Sequence, residues 1–314
     1  MDTPKSGKSM TNKGTLIVGC GYTGKLLAQQ LAFEGHAVYG TARTEVGANV
    51  IRTRGAHAIV MEAPDFRPIE KMRGKVDALV TMMPPTMERQ GGFSDHTAAL
   101  ISEVADWNLK AFVYVSSTSV YGDKKGALVD ESTLCTPDSP RGRARLEIER
   151  QVLESGLPAM VVRPSGIYGR FRSQFDRLVG RRTRLVDGGE AYTNRIHVRD
   201  LATIIQAACE RGRPGSVYLA SDARPARQCD VAGHIVDTYG LPAPEHISLA
   251  EAKVRMSKDV LAMIMGSKRL DSSATCASLG IDLRFPDYEV GLAEIWRFDQ
   301  EAIRAALAAQ TSAT

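Results

Sequence analysis

Gly19-Cys20-Gly21-Tyr22-Thr23-Gly24 spaces its glycines as GxGxxG, and the residues on either side of it decide the fold. Before it, residues 15–18 form a short apolar run of strand length. After it, residues 23–33 carry Leu26, Leu27, Leu31 and Phe33 as an apolar helical stripe. A strand, a glycine turn and a helix in that order form the setting in which this motif holds a dinucleotide. Gly19 permits the tight turn, Gly21 lets the backbone approach a pyrophosphate, and Gly24 lets helix and strand pack closely. Tyr22 and Thr23 then fall in the first helical turn, whose free N–H groups and partial positive charge suit phosphates. Lys25 does not fit the Walker spacing, which argues against an ATPase.

Working outward, apolar runs at 37–41, 58–61, 77–82, 111–116, 159–163 and 216–220 read as further strands. Helical patterns at 95–106, 143–154 and 198–209 fall between them. Strands separated by helices imply right-handed crossovers and a parallel sheet. Burial on both faces explains the near-continuous apolar runs. The fold class expected is α/β, a Rossmann-type doubly wound parallel sheet with a smaller C-terminal substrate-binding cap. Residues 14–168 make the dinucleotide-binding domain, and 190–240 return to it. Residues 169–189, read as an Arg-rich loop, and 241–314 make the cap. Its helices are expected at 226–239, 250–256, 258–265, 273–279 and 290–307.

Composition narrows the class. The 314 residues are 43% hydrophobic and 24% charged, with a net charge of +4, which gives no support for nucleic-acid binding. Cys20, Cys135, Cys209, Cys229 and Cys276 form no CxxC pair and stand with no histidine cluster, so neither a disulfide framework nor a metal site is expected. Free thiols of a reducing cytoplasm are the expectation. No apolar run reaches the ~18 residues of a membrane-spanning helix. Residues 1–13 read as a disordered tail and 308–314 as a fraying end.

The second strand bears on the cofactor. A dinucleotide with free ribose hydroxyls usually meets Asp or Glu at its tip. Here the tip reads Tyr39-Gly40-Thr41-Ala42-Arg43-Thr44, with no acid. Arg43 either meets a 2′-phosphate or is a solvated surface charge. NADP(H) is therefore favoured, with NAD(H) the alternative. Glu62 and Asp65 are candidates for the adenine amino group.

At the fifth strand the chain resembles a known family. Val115-Ser116-Ser117-Thr118-Ser119-Val120-Tyr121-Gly122 resembles the SSxxVYG segment of extended short-chain dehydrogenases/reductases, the NAD(P)-dependent epimerase/dehydratase family. Val162-Arg163-Pro164-Ser165-Gly166-Ile167-Tyr168-Gly169 is similar to its RPxxIYG segment. Arg195-Ile196-His197-Val198-Arg199-Asp200-Leu201-Ala202 is similar to its IHVxDLA segment. The resemblance implies hydride transfer on alcohols and sugars by a Ser/Thr, a Tyr and a Lys, the last two in YxxxK on one helix face. It places Ser117 at the Ser/Thr, and Met83, Pro84, Ser116 and Pro164 along the cofactor. It also implies a homodimer through helices 95–106 and 143–154.

The chain departs from that pattern. Arg141 stands where Tyr is expected and Arg145 where Lys is expected. Arg145 can still bind ribose hydroxyls, but a guanidinium is a poor acid or base. Tyr121, Tyr168 and His197 are the other candidates for a proton donor. Arg170, Arg172, Arg177, Arg181, Arg182 and Arg184 either receive an anionic substrate or form a solvated loop. Ser117, Thr118, Arg141, Arg170 and His197 are the substrate-side candidates. The expectation is an NADP(H)-dependent oxidoreductase or epimerase acting on a small hydroxyl, carbonyl or imine compound, anionic if those arginines receive it and neutral if they are solvated. The alternative is a non-catalytic NAD(P)-binding sensor. No nucleic-acid or membrane partner is expected.

Overall fold

The structure is a computed structural model, and it describes residues 13–87, 93–94, 96–180 and 183–311. The tail expected at 1–13 falls almost wholly outside the described residues. Among the described residues, seven strands form one parallel sheet. They are β1 (Gly14–Val18), β2 (Val38–Ala42), β3 (His57–Val60), β4 (Val76–Thr81), β5 (Ala111–Val115), β6 (Ala159–Pro164) and β7 (Val217–Ala220). Their spatial order is β7-β6-β5-β4-β1-β2-β3. The central strands β1, β4, β5 and β6 are buried at every residue, as strands covered on both faces must be. Register is regular through the middle, with Leu16 beside both Tyr39 and Leu79, and Tyr114 beside Val161.

Helices cover both faces. On one lie α1 (Tyr22–Phe33) and the helix Val198–Arg211, packed on Ile17, Val80, Val113 and Val162. On the other lie α3 (Thr97–Val104) and α4 (Pro140–Leu153), over Leu16, Leu79, Phe112 and Val161. The short α2 (Glu45–Arg52) escapes the sequence pattern because only Ala48 and Ile51 are buried in it. Its start is set by Thr44, whose hydroxyl accepts from Gly47 N–H at 3.2 Å.

Strand order reverses at β1, which lies between β2 and β4. The space beyond the carboxyl ends of β1 and β4 is the usual ligand crevice in open α/β sheets. The segment read as a loop at 169–189 is more ordered than expected. It holds α5 (Gln174–Val179), started by a capping box between Ser173 and Asp176, and a short strand Arg184–Val186. The remaining helices are α6 (Val198–Arg211), α7 (Gln228–Tyr239), α8 (Leu249–Arg255), α9 (Lys258–Met265), α10 (Ser273–Leu279) and α11 (Tyr288–Thr311). The smaller cap gathers around Phe175, Tyr239 and Trp296 from α5, α7 and α11. The end expected to fray is helical through Thr311, since α11 docks through Leu292, Ile295 and Ile303. Among the described residues no helix is long and apolar enough to cross a membrane.

Candidate active site

The glycine turn is built for a close ligand. Gly19 sits at φ +78°, and a Cβ there would lie 3.2 Å from the Met83 backbone nitrogen, so β4's exit loop presses against the turn. Its N–H donates to Thr41 Oγ1 at 2.9 Å, tying it to β2. A Cβ on Gly24 would lie 3.2 Å from Ile17, the close helix–strand approach that the motif implies. No side chain caps α1, so the N–H groups of its first turn are left for an anion. Gly21 and Tyr22 stand at that opening, with Thr23 buried behind them. Tyr22 also donates its hydroxyl to the Arg170 carbonyl at 2.9 Å, so it joins the turn to the cap.

The ends of β5 and β6 present buried polar atoms without partners among the described residues. Ser116 and Ser165 are 4% and 6% exposed, and neither hydroxyl has a hydrogen-bond partner among the described residues. Ser119 Oγ and Arg145 Nη1 are likewise buried and unpartnered. Buried polar groups are nearly always bonded, so these four are open to a partner from outside the described chain. Ser117 is half-buried and caps the turn Thr118–Tyr121, its Oγ accepting from Ser119 N–H at 3.2 Å. Thr118 is half-buried beside it, and Pro164 closes β6.

Helix α4 brings the arginines to the same edge. Ser139 caps it by accepting from Gly142 N–H at 3.1 Å, and Pro140 fits its first turn. A Cβ on Gly142 would lie 2.8 Å from the Ser119 carbonyl, so the helix start rests on the Ser117–Tyr121 turn. Arg141 and Arg145 share one face, which continues into buried Ile148, Glu149 and Val152. Arg141 is exposed and Arg145 half-buried.

The candidate proton donors other than Ser117 lie elsewhere, and those readings are corrected. Tyr121 is fully buried, its hydroxyl accepts from Arg163 Nη1 at 3.0 Å, and burial pushes its phenol up to about 12. Tyr168 is 2% exposed and bonds the Asp287 carbonyl at 3.3 Å, with its phenol pushed up by burial. It anchors α11 rather than facing the crevice. His197 is 1% exposed, its ring centroid lies 3.8 Å from that of Phe285, and burial lowers it to about 3. It is neutral near pH 7, and its Nδ1 accepts from Arg199 N–H at 3.4 Å at the start of α6. Arg170 forms a two-pronged pair with Asp299 of α11, at 2.9 and 2.5 Å, so it is a cap strut rather than a substrate anchor. Arg184 pairs with Glu245 at 2.9 Å. Arg181 and Arg182 lie outside the described residues.

The sequence reading missed two buried charge clusters. Glu149, 2% exposed, receives Arg163 at 2.7 and 3.1 Å beneath the Ser117 turn. A glutamate inside the apolar stripe of α4 was the available signal. Asp222, 1% exposed, follows β7, and burial pushes its carboxyl up to about 8 although buried Arg195 lies nearby. Arg195 places its own bonds on Thr193. Between its ordinary 3.8 and about 8, Asp222 holds a proton in the fold that the unfolded chain has lost. Stability therefore falls as pH rises through that window. Asp222→Asn is expected to remove this loss, so the variant gains on the wild type from pH 5 to pH 8 in urea-unfolding midpoints. Parallel midpoints at both pH values would contradict that assignment.

Known proteins share this fold. The model of the NAD dependent epimerase/dehydratase family matches residues 15–220. A 4-hydroxy-2-methyl-3-oxo-4-farnesyl-3,4-dihydroquinoline-1-oxide ketoreductase of Stigmatella aurantiaca is 26% identical over 242 residues, 72% of each chain. The structure of a functionally unknown conserved protein from Silicibacter pomeroyi is 32% identical, with a TM-score of 0.79 over 91% of this chain and 99% of that one. The UDP-glucuronic acid 4-epimerase of Bacillus cereus, in complex with NAD, has a TM-score of 0.74 at 18% identity, over 92% of this chain and 99% of its own. The dTDP-glucose 4,6-dehydratase of Bacillus anthracis, also in complex with NAD, has 0.75 at 17%, over 92% and 97%. The NADP(H) preference read from Arg43 is corrected accordingly. These similar structures hold NAD, and Arg43 is an exposed side chain just past the end of β2.

Proposed function

We propose that this chain, which belongs to the NAD dependent epimerase/dehydratase family, is an NAD(H)-dependent oxidoreductase in which Arg141 and Arg145 replace the usual Tyr–Lys pair. The observation that carries the reading is the set of buried polar atoms of Ser116, Ser119, Ser165 and Arg145 that have no partner among the described residues, together with the uncapped start of α1 at the glycine turn. A dinucleotide fits those groups. Gly19–Gly24 would hold its pyrophosphate, and Arg145 the hydroxyls of its nicotinamide ribose. When bound, the cofactor supplies or accepts hydride.

The protein's own part is orientation and charge. Ser117 Oγ holds the substrate oxygen and passes it a proton drawn from solvent. Arg141 stays protonated and acts as a fixed positive charge rather than a donor. The substrate is a small hydroxyl- or carbonyl-bearing molecule. Reduction of one C=O or C=N bond is favoured over epimerisation, because it needs a single hydride transfer. The ketoreductase among the similar proteins supports that preference. Ser117→Ala is expected to lower kcat about 100-fold while leaving NADH affinity within about threefold. That is measured by steady-state rates over carbonyl and imine panels beside NADH titration. The replaced tyrosine favours a second reading, a cofactor-binding sensor. Stoichiometric NADH binding with no turnover on any panel would select it.

A further inference from the structure

We infer that the crevice takes a substrate bearing an oxyanion, a carboxylate or phosphate beside the reacting carbon, and that Arg141 receives it. This rests on the proposed reading of the site and names its substrate class. Helix α4 has no acid in its first turn but carries Arg141, Arg143 and Arg145 within its first two turns. Positive side chains at a helix N-terminus oppose its dipole and weaken the helix unless an anion joins them.

Arginines after β6 contrast with these. Arg170, Arg184, Arg199, Arg224, Arg227 and Arg255 each meet a carboxylate. No ion pair is found for Arg141 or Arg145 among the described residues, and Arg145 Nη1 is buried without a partner. Glu149, one turn further along the same face, is already matched by Arg163 and cannot neutralise them. Independently, the hydroxyls of Ser116 and Ser165, just past the carboxyl ends of β5 and β6, are more than nine-tenths buried and unbonded among the described residues. Two guanidinium groups and donor hydroxyls with no acceptor form an oxyanion receptor. A tyrosine at position 141 would supply a proton. An arginine there supplies a permanent charge that selects an anionic neighbour and stabilises negative charge developing on the substrate oxygen.

The test is calorimetric titration of the full chain with oxalate and with inorganic phosphate, each with and without saturating NADH. It uses wild type, Arg141→Gln, Arg141→Lys and Arg143→Gln. Arg143 is exposed and, two residues on, lies on the other side of the helix, so it controls for bulk charge. Saturable anion binding that weakens at least about tenfold in Arg141→Gln, less in Arg141→Lys and hardly in Arg143→Gln is expected. Preference between oxalate and phosphate identifies the anion. Intact NADH binding with no anion binding, or equal losses in Arg141→Gln and Arg143→Gln, would overturn the inference and leave the oxidoreductase reading standing. Arg141-dependent anion binding without any NADH binding would uphold the receptor and remove the oxidoreductase reading.

Discussion

Glu149→Ala is expected to destabilise the protein by about 3–5 kcal/mol, because it strands the Arg163 guanidinium in a buried site. Arg163 is 6% exposed, and its Nε and Nη2 both point at Glu149, with only Nη1 on Tyr121. Without the carboxylate, two donor edges lose their acceptor where water does not reach. The cost should show as a lower urea midpoint with unchanged slope. A double variant, Glu149→Leu with Arg163→Met, should recover most of the loss, since apolar replacement removes both charges together. A loss below about 1 kcal/mol in Glu149→Ala would mean that water or a neighbour takes over the pair. The cluster also carries the site: Tyr121 ends the turn that Ser117 starts, so its loosening should lower activity before the chain unfolds.

Gly19→Val is expected to abolish dinucleotide binding while the sheet persists. At φ +78° a β-branched residue is strained by about 1–3 kcal/mol. Its Cβ would also crowd the Met83 backbone at 3.2 Å. The turn must open, and the N-terminus of α1 then loses its aim. Circular dichroism should be near that of wild type, with NADH affinity reduced at least about 100-fold. Retained affinity would mean that the phosphates are held elsewhere.

Much of this was legible in the chain because parallel strands are buried on both faces. Runs such as Ala111–Val115 and Ala159–Pro164 must be apolar throughout. The glycine turn was legible because close approach excludes a Cβ. The proposed replacement of Tyr and Lys by Arg141 and Arg145 rests on position in the chain alone. What could not be read is pairing across distance. Arg170 meets Asp299 from 129 residues away, and nothing local distinguishes such a strut from an anion receptor. Tyr121, Tyr168 and His197 stand in motifs near the strand ends, yet burial decides their roles, and burial depends on α4 and α11 folding over them. Arg43 misled for a related reason: its charge is visible in sequence, but its exposed position beyond β2 is not.

Titration of the purified chain with NADH, followed by nicotinamide fluorescence, tests the central claim most directly, with Arg43→Ala measured beside the wild type. Saturation at one NADH per chain, unchanged in Arg43→Ala, is the result predicted. Absence of saturable NADH binding to the folded wild type would contradict the account.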